Sequence, residues 1–339
     1  MKIAFFSVKP YEETALRQFN QTFHHELVFY KESLTEQTTS LAVGFPAVSG
    51  FANDRFNSTV LTELAQQGTK LVALRSAGYD HVDLQSAGSL GITVMRVPSY
   101  SPHAISEYTI GMLLALDRHI PAAWDRVRAG NFDLSGFTGH GIRGQTVGII
   151  GTGKIGAEVA KTLKLGFGCI VLANDLYPND SLKDIGVKYV GLEELLQQSD
   201  IVSLNCPLTW QSKHLINAES LGLMKKDALL VNTSRGGLID SIALSDALEA
   251  GKIRGCALDV YEGEGEFFFK GPEAEGPYAI PIAFKHLASL PNVIITGHQA
   301  FLTLNAIEAI AKTTLKNAHD FESGCAEQNV VMDKYLTEN

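Results

Sequence analysis

One stretch of sequence decides the fold, Val147-Gly148-Ile149-Ile150-Gly151-Thr152-Gly153-Lys154-Ile155-Gly156. An apolar strand pattern runs directly into the spacing G-x-G-x-x-G. In such a turn Gly151 makes the tight bend, Gly153 lets a pyrophosphate approach the backbone, and Gly156 lets helix and strand pack closely. The helix that follows, beginning with Lys154 and Ile155, offers free N–H groups to phosphates. The stretch favours a dinucleotide-binding turn, although a tight turn without a ligand would use the same glycines.

An acidic residue follows the next apolar run at the distance that this motif requires. Asp175 lies about 20 residues beyond the glycines, where a carboxylate accepts hydrogen bonds from the adenosine ribose hydroxyls. A carboxylate there repels a 2′-phosphate, and Leu176-Tyr177-Pro178 supplies no arginine to bind one. NAD is therefore favoured over NADP, while a solvated acid at a strand end is the alternative interpretation.

Strands and helices alternate on both sides of this turn. From residue 145 onward six apolar runs with helical segments between them predict a doubly wound parallel sheet. Helices are expected at Lys154–Leu165 and Ser241–Ala250. The six predicted strands are Thr146–Ile150, Cys169–Asn174, Ile201–Asn205, Ala228–Asn232, Gly255–Asp259 and Val293–Thr296.

The first hundred residues show the same alternation less regularly, and we expect parallel strands joined by helices at Pro10–Phe19 and Ser58–Gln67. Pro98 and Pro102 separate this part from a long helix at His103–Arg118, and a second long helix is expected at Leu302–Phe321. The predicted strands are Lys2–Ser7, Leu27–Tyr30, Ala42–Phe45, Lys70–Arg75 and Ile92–Val97.

Composition limits the class of protein. A chain of 339 residues is long enough for two domains, and 45% hydrophobic with 19% charged residues indicates a globular protein. The net charge of −9 argues against nucleic acid and anionic membranes as partners. Four widely spaced cysteines without metal-ligand spacing predict reduced thiols, no metal and a cytoplasmic location. The N-terminal apolar run is too short for a signal peptide, and no run is long enough to span a bilayer.

Polar residues follow three later strands at the edge where such sheets bind ligands. Arg235 follows Leu229-Leu230-Val231, and its planar fork can hold a carboxylate, although a surface ion pair is the alternative. Asp259, Glu262 and Glu264 follow the next strand, where they form either an acidic solvated loop or the partner of an imidazole. His298 leaves the last strand through Gly297.

These residue types suit the reduction of a 2-keto acid. Negative charge grows on the ketone oxygen as hydride reaches C2, so a cation and a proton donor are needed there. Arg235 would hold the substrate carboxylate and His298 would deliver the proton. A carboxylate beside the imidazole favours its protonated form, and Glu264 is our choice for that role.

The chain resembles the D-isomer-specific 2-hydroxyacid dehydrogenases, and among them the bacterial fermentative D-lactate dehydrogenases, over nearly its whole length. Short motifs in a shared order carry the resemblance. They are Leu74-Arg75-Ser76-Ala77-Gly78, Val97-Pro98-Ser99-Tyr100-Ser101-Pro102, Gly151 to Gly156, Cys206-Pro207-Leu208-Thr209, Val231-Asn232-Thr233-Ser234-Arg235-Gly236, Leu258-Asp259-Val260-Tyr261-Glu262 and Gly297-His298-Gln299-Ala300-Phe301.

The resemblance implies two α/β domains with a cleft between them. A flavodoxin-like substrate domain would comprise residues 1–100 and 299–339, and a Rossmann-type NAD-binding domain would comprise residues 101–298. It implies catalytic roles for Arg235, Glu264 and His298. Substrate contacts are expected from Ser76, Ala77, Gly78, Tyr79, Tyr100 and Arg235. Contacts with NAD are expected from Gly151, Gly153, Lys154, Ile155, Gly156, Asp175, Cys206, Pro207, Thr233, Ser234 and Asp259.

The expected activity is reduction of pyruvate to D-lactate with NADH, by a homodimer or homotetramer. A larger substrate such as phenylpyruvate or a branched-chain 2-keto acid is an alternative, and an NAD-sensing corepressor is an alternative of another class. We expect the two domains to close over the ligands, with hinges near residues 99–102 and 298–302. Residues 270–286 are expected to form a loop, and Phe267-Phe268-Phe269 either anchors it, which we favour, or lines an apolar wall.

Overall fold

The computed structural model describes residues 1–269 and 279–331. The chain divides into two compact units: a terminal unit of residues Met1–Ser101 and Leu302–Asn339, and a central unit of residues Pro102–Phe301. Along the chain the strands are β1 Lys2–Phe5, β2 Glu26–Phe29, β3 Ala47–Ser49, β4 Leu71–Ala73, β5 Thr93–Met95, β6 Thr146–Ile150, β7 Ile170–Asn174, β8 Lys188–Tyr189, β9 Ile201–Leu204, β10 Leu229–Asn232, β11 Gly255–Leu258, β12 Val293–Ile295 and β13 Val330–Val331.

Twelve helices lie within the described residues, together with short 3₁₀ turns and a π-helical turn, Thr162–Gly166, that continues α6. The α-helices are α1 Pro10–Phe23, α2 Ser58–Gln66, α3 Leu84–Ser89, α4 Pro102–Asp117, α5 Ile120–Arg128, α6 Lys154–Lys161, α7 Asp180–Asp184, α8 Leu192–Gln198, α9 Ala218–Leu223, α10 Ser241–Glu249, α11 Ile282–Ser289 and α12 Leu304–Glu322. Among the described residues, no helix combines the length and hydrophobicity needed to cross a membrane.

The central unit is built on a seven-stranded parallel sheet in the order β12-β11-β10-β9-β6-β7-β8. The strand order reverses at β6, the strand that leads into the glycine-rich turn, as in doubly wound nucleotide-binding sheets. Its strands are apolar on both faces: along β10, Leu229 and Val231 join one hydrophobic cluster, whereas Leu230 joins the other. This double burial explains the continuous apolar runs in the sequence.

The terminal unit is built on a six-stranded sheet in the order β13-β5-β4-β3-β1-β2, in which only β13 is antiparallel among the described strands. The five parallel strands have the flavodoxin-like order. Along β1, Phe5 packs in one cluster with Leu315 of α12, whereas Ala4 packs in the other cluster. The C-terminal helix therefore covers one face of the sheet formed by the N-terminal residues.

The predicted fold class, α/β with two doubly wound sheets, is confirmed. One predicted strand is wrong: Ala42 ends a 3₁₀ turn, Gly44 has φ 78°, and the strand begins after Pro46, at Ala47. Strands β8 and β13, of two residues each, were not predicted because two residues show no periodicity. The predicted loop over 270–286 is wrong at its end, where helix α11 begins at Ile282 with Pro281 as its N-cap. Residues 270–278 of that loop, including Gly271-Pro272 and Gly276-Pro277, lie outside the described residues.

Candidate active site

The glycine-rich turn connects β6 to α6 in the central unit. Gly151 has φ 89°, and a Cβ built on it would lie 2.6 Å from the Cys206 backbone nitrogen. A Cβ on Gly156 would lie 2.0 Å from the Gly151 carbonyl oxygen. A Cβ on Gly153, by contrast, would meet no atom of the described residues within 4 Å. Two glycines thus permit close packing and the third leaves open space at the helix N-terminus, which is the arrangement that a pyrophosphate requires.

Asp175 directly follows β7 and is hydrogen-bonded to the glycine-rich turn. Its carboxylate accepts a hydrogen bond from the Thr152 backbone N–H at 2.5 Å and another from the Tyr177 backbone N–H at 2.8 Å. The Tyr189 hydroxyl donates to Thr152 Oγ1 at 2.9 Å. The carboxylate is partly exposed at the carboxyl edge of the sheet, so oxygen lone pairs are available there for ribose hydroxyls.

The ends of β9 and β10 meet beside the same turn. The Ser234 hydroxyl donates to the Cys206 carbonyl oxygen at 2.6 Å, and the Thr233 hydroxyl lies 2.7 Å from that of Thr109. Burial raises the pKa of the Cys206 thiol to about 11, so the thiol is neutral near pH 7 and behaves as a small apolar side chain. Pro207 is exposed.

His298 and Glu264 form a hydrogen-bonded pair. The His298 imidazole contacts Glu264 Oε1 through Nδ1 at 2.5 Å, and both side chains are about one-fifth exposed. The second Glu264 oxygen accepts the Tyr261 backbone N–H at 2.5 Å, which fixes the carboxylate. Because the Glu264 carboxylate accepts a hydrogen bond from the Nδ1–H group, Nε2 is the ring nitrogen left to exchange a proton with a substrate.

Arg235 lies beside the segment that carries Glu264. It follows β10, and its Nη1 donates to the Ser234 carbonyl oxygen at 2.8 Å. The next residue, Gly236, packs so closely that a Cβ there would lie 2.1 Å from the Tyr261 carbonyl carbon. Strands β10, β11 and β12 are consecutive neighbours, so Arg235, Glu264 and His298 leave one edge of the sheet from adjacent strands.

Asp259 holds the segment that presents His298. Its side chain is fully buried and accepts hydrogen bonds from the Thr296 hydroxyl at 2.5 Å, the Gln299 N–H at 2.9 Å and the Ala300 N–H at 2.8 Å. Its carbonyl oxygen accepts the His298 N–H at 2.7 Å. Burial raises the pKa of the Asp259 carboxyl, and these hydrogen bonds oppose that shift. The carboxylate has partners within the protein, and its predicted contact with NAD stays a prediction.

The three consecutive phenylalanines, expected either to anchor a loop or to line an apolar wall, do not all have the same environment. Phe267 and Phe268 are buried and pack against Phe284 of α11 with ring centroids 4.8 and 5.8 Å apart, as anchors do. Phe269 has φ 62°, and its ring centroid lies 5.7 Å from that of His298. One aromatic ring of the run is therefore next to the imidazole.

The predicted substrate residues of the terminal unit follow β4 and β5. The Ser76 hydroxyl donates to the Gly78 carbonyl oxygen at 2.7 Å, and Arg96 donates to the Ala77 carbonyl oxygen at 2.7 Å. The Arg96 guanidinium also lies over the Tyr79 ring at 5.0 Å. Tyr100, like these residues, is partly buried. Their contact with the substrate stays a prediction.

Sequence reasoning did not assign two side chains that support the His298 segment. The Thr296 hydroxyl binds Asp259, and the Gln299 amide donates to the Tyr108 hydroxyl of α4 at 2.8 Å. Thr296 lies two residues before His298 and Gln299 directly follows it, which was the available signal, but Tyr108 is far away along the chain.

Comparison with known proteins identifies the family to which this chain is similar. The family model described as "D-isomer specific 2-hydroxyacid dehydrogenase, NAD binding domain" matches residues 110–300. The chain is 47% identical over 332 residues to 2-hydroxyacid dehydrogenase homolog 1 of Schizosaccharomyces pombe, covering 98% of this chain and 99% of that protein. It is 45% identical over 324 residues to D-lactate dehydrogenase of Escherichia coli, covering 96% and 98% respectively. The apo-structure of D-lactate dehydrogenase from Escherichia coli has a TM-score of 0.86 at 43% identity, covering 98% of this chain and 100% of that one.

The chain belongs to the D-isomer specific 2-hydroxyacid dehydrogenase family. It is an NAD-dependent oxidoreductase, which confirms the predicted family, enzyme class and cofactor. The open space at Gly153 and the N-terminus of α6, which has no side-chain cap among the described residues, fit the pyrophosphate of NAD. The roles of the individual site residues stay predictions.

Proposed function

We propose that this dehydrogenase reduces pyruvate to D-lactate, with His298 as the proton donor. The observation that supports the proposal most directly is the His298–Glu264 pair, which leaves Nε2 of the imidazole as the proton-exchanging nitrogen. The similarity to a D-lactate dehydrogenase supports the choice of substrate.

Bound NADH supplies the hydride that forms the new C–H bond at C2 of the keto acid. His298 Nε2 donates a proton to the ketone oxygen, and the carboxylate of Glu264 stabilises the protonated imidazole before that transfer. Arg235 binds the substrate carboxylate through its planar fork and adds positive charge near the developing oxyanion. In the reverse direction the same imidazole accepts the hydroxyl proton.

We propose that Ser76, Ala77, Gly78, Tyr79 and Tyr100 contact the substrate as well. Backbone N–H groups at the carboxyl end of a parallel strand are suited to bind an anion. Domain closure with hinges near residues 99–102 and 298–302 is part of the same hypothesis.

The experiment is a spectrophotometric assay of NADH oxidation at 340 nm with a panel of 2-keto acids. The panel contains pyruvate, phenylpyruvate and a branched-chain 2-keto acid, and the product is resolved into D and L isomers. We expect the highest kcat/KM with pyruvate and a D product. Tight binding of NAD without turnover of any 2-keto acid would contradict the proposal and favour the NAD-sensing alternative.

A larger 2-keto acid is the second candidate substrate, and the position of Phe269 favours it. The ring lies beside His298, where an apolar substrate side chain could pack on it. A hydrophobic pocket distinguishes one methylene from the next by only about 1–3 kcal/mol, so the panel of substrates decides between the two.

We also propose a cytoplasmic homodimer or homotetramer. Helix α5 has no buried residue, and large apolar side chains are exposed on and just after it. They are Ile120, Trp124, Val127, Phe132 and Leu134. An exposed apolar surface of this kind favours contact with a second copy.

If α5 forms the contact between copies, Trp124→Glu should lower the molar mass in solution to that of a smaller oligomer or the monomer. Light scattering coupled to size exclusion measures the change, and Trp210→Glu, at another exposed tryptophan, is the control. An unchanged mass in Trp124→Glu would show that α5 is not the contact.

A further inference from the structure

A cluster of metal-ligand side chains lies in the terminal unit, outside the candidate active site. His25 directly precedes β2, and His319 and Glu322 lie three residues apart on α12, so both project from the same face of the helix. One ligand atom from each of the three residues lies within 4.8 Å of the others. This proximity depends on tertiary structure, because His25 and His319 are remote along the chain.

His25 is oriented as a metal-binding histidine is. Its side chain is buried, and its Nε2 lies 3.2 Å from the Leu315 carbonyl oxygen, to which the ring N–H donates. This hydrogen bond fixes the tautomer and leaves the lone pair of Nδ1 directed at the cluster. Metal-binding histidines usually donate their other ring N–H to such a carbonyl.

The cluster already attracts positive charge. The Met1 amino nitrogen lies 3.1 Å from His25 Nδ1 and 2.8 Å from Glu322 Oε1. The ammonium group thus occupies the cationic position that the imidazole lone pair and the carboxylate face, and a metal ion bound there would displace it.

We propose that His25, His319 and Glu322 bind a divalent transition metal ion, with Zn²⁺ as the representative. Two imidazoles and one carboxylate, with a fourth position for water, form a ligand set that Zn²⁺ commonly has in proteins. Ligand atoms bound to a tetrahedral zinc ion lie roughly 3.4 Å apart. His319 and Glu322 are exposed side chains on a helix, so rotamer changes can close the remaining separation around the fixed His25.

The metal would connect the last turn of α12 to the residue that precedes β2. Binding to the folded chain stabilises it by an amount that rises with the logarithm of the metal concentration above the Kd. This role is structural and requires no contact with NAD or substrate. It is therefore independent of the proposed reaction.

The test is titration of the untagged, chelator-treated protein with ZnCl₂ by calorimetry, with the thermal unfolding midpoint as a second readout. We expect one Zn²⁺ per chain and a raised midpoint that EDTA reverses. His319→Ala and Glu322→Gln change exposed side chains and should each weaken binding at least about 10-fold. His25 is left unchanged in this experiment because it is buried.

The control is His286→Ala, which removes a surface histidine whose Nε2 lies 2.9 Å from Glu249, and it should bind Zn²⁺ like the parent. Zn²⁺ affinity that is unchanged in both His319→Ala and Glu322→Gln would overturn the proposal. So would the absence of binding by the parent protein up to about 1 mM Zn²⁺.

Discussion

Three of the carboxylates that follow β11 have different partners. Asp259 is buried under the segment that presents His298, Glu262 lies 2.9 Å from His214, and Glu264 lies 2.5 Å from His298. The proposed mechanism requires only the last of these pairs for proton transfer. The other acid–histidine pair, Glu262 with His214, is a natural control for it.

His298→Asn should lower kcat for pyruvate reduction at least about 100-fold, the lower limit for a positioned general acid. Asparagine is chosen because His298 has φ 52°, a conformation that asparagine tolerates. His214→Asn is the matched control, since His214 has φ 50°. Steady-state kinetics at saturating NADH measures both variants. Similar kcat values in His298→Asn and the parent would show that another group donates the proton.

Glu264→Gln should lower kcat at least about 10-fold, because the amide no longer stabilises the charged imidazole. Glu262→Gln makes the same chemical change two residues earlier, and we expect kcat to stay within a few-fold of the parent. Both are measured in the same assay. An equal loss in the two variants would indicate a general effect of this acidic segment instead.

Phe269→Ala should shift substrate preference away from larger 2-keto acids. Removing the ring beside His298 takes away the apolar surface on which a larger substrate side chain would pack, and that contact is worth about 1–3 kcal/mol, or roughly 10-fold to 200-fold in kcat/KM. The measurement is the ratio of kcat/KM for phenylpyruvate to that for pyruvate. Phe268→Leu, which changes a buried ring packed against Phe284, is the control and should leave the ratio unchanged. An unchanged ratio in Phe269→Ala would show that Phe269 does not line the substrate pocket.

Sequence analysis identified the candidate polar residues at the strand ends and chose Glu264 as the partner of His298, a pair that the structure contains, but it did not predict the partners of Asp259 and Glu262. Asp259, Glu262 and Glu264 are equivalent in a one-dimensional pattern. Their separate partners depend on which loops meet at the edge of the sheet. The support from Tyr108 was missed for the same reason, since it reaches Gln299 from helix α4.

At the scale of elements, the glycine-rich turn needs close packing at Gly156 and open space at Gly153, and separate substitutions test the two. Gly156→Ala places a Cβ against the Gly151 carbonyl oxygen and should destabilise the protein by at least about 2 kcal/mol. Gly153→Ala meets open space and costs only about 1 kcal/mol as a changed N-cap. It should nevertheless raise the KM for NADH at least about 10-fold, because the methyl group occupies the position of the pyrophosphate.

Urea denaturation without NAD and NADH kinetics together distinguish these effects. Gly166→Ala, a glycine at the end of the π-helical turn where a Cβ would make ordinary contact with Thr162, is the control. Unaltered NADH affinity in Gly153→Ala would show that phosphates do not approach this glycine.

Long apolar elements were predictable because burial on both sheet faces leaves a continuous signal in the sequence. Strand β6 was predicted at its observed limits, Thr146–Ile150. The apolar segment near Ala42 misled the prediction, because apolar character alone cannot distinguish a buried 3₁₀ turn from a strand. Gly44 and Pro46 are the residues that break that segment.

At the scale of the whole molecule, buried thiols make stability depend on alkaline pH. Burial raises the pKa of Cys206 from 9.0 to about 11, and it raises that of the fully buried Cys256 as well. Between about pH 9 and pH 11 the unfolded chain loses thiol protons that the folded chain retains. The unfolded state therefore binds fewer protons, and the free energy of unfolding falls as pH rises.

Urea unfolding of the reduced protein at a series of pH values from about 8 to 11 measures this slope, which gives the number of protons released on unfolding. Cys256→Ala should reduce the release by up to about one proton per chain, since it removes a thiol that ionises only after unfolding. The exposed Cys325→Ala is the control and should keep the parent slope. An identical slope in Cys256→Ala and the parent would mean that burial does not suppress ionisation of this thiol, and that the alkaline loss of stability arises elsewhere.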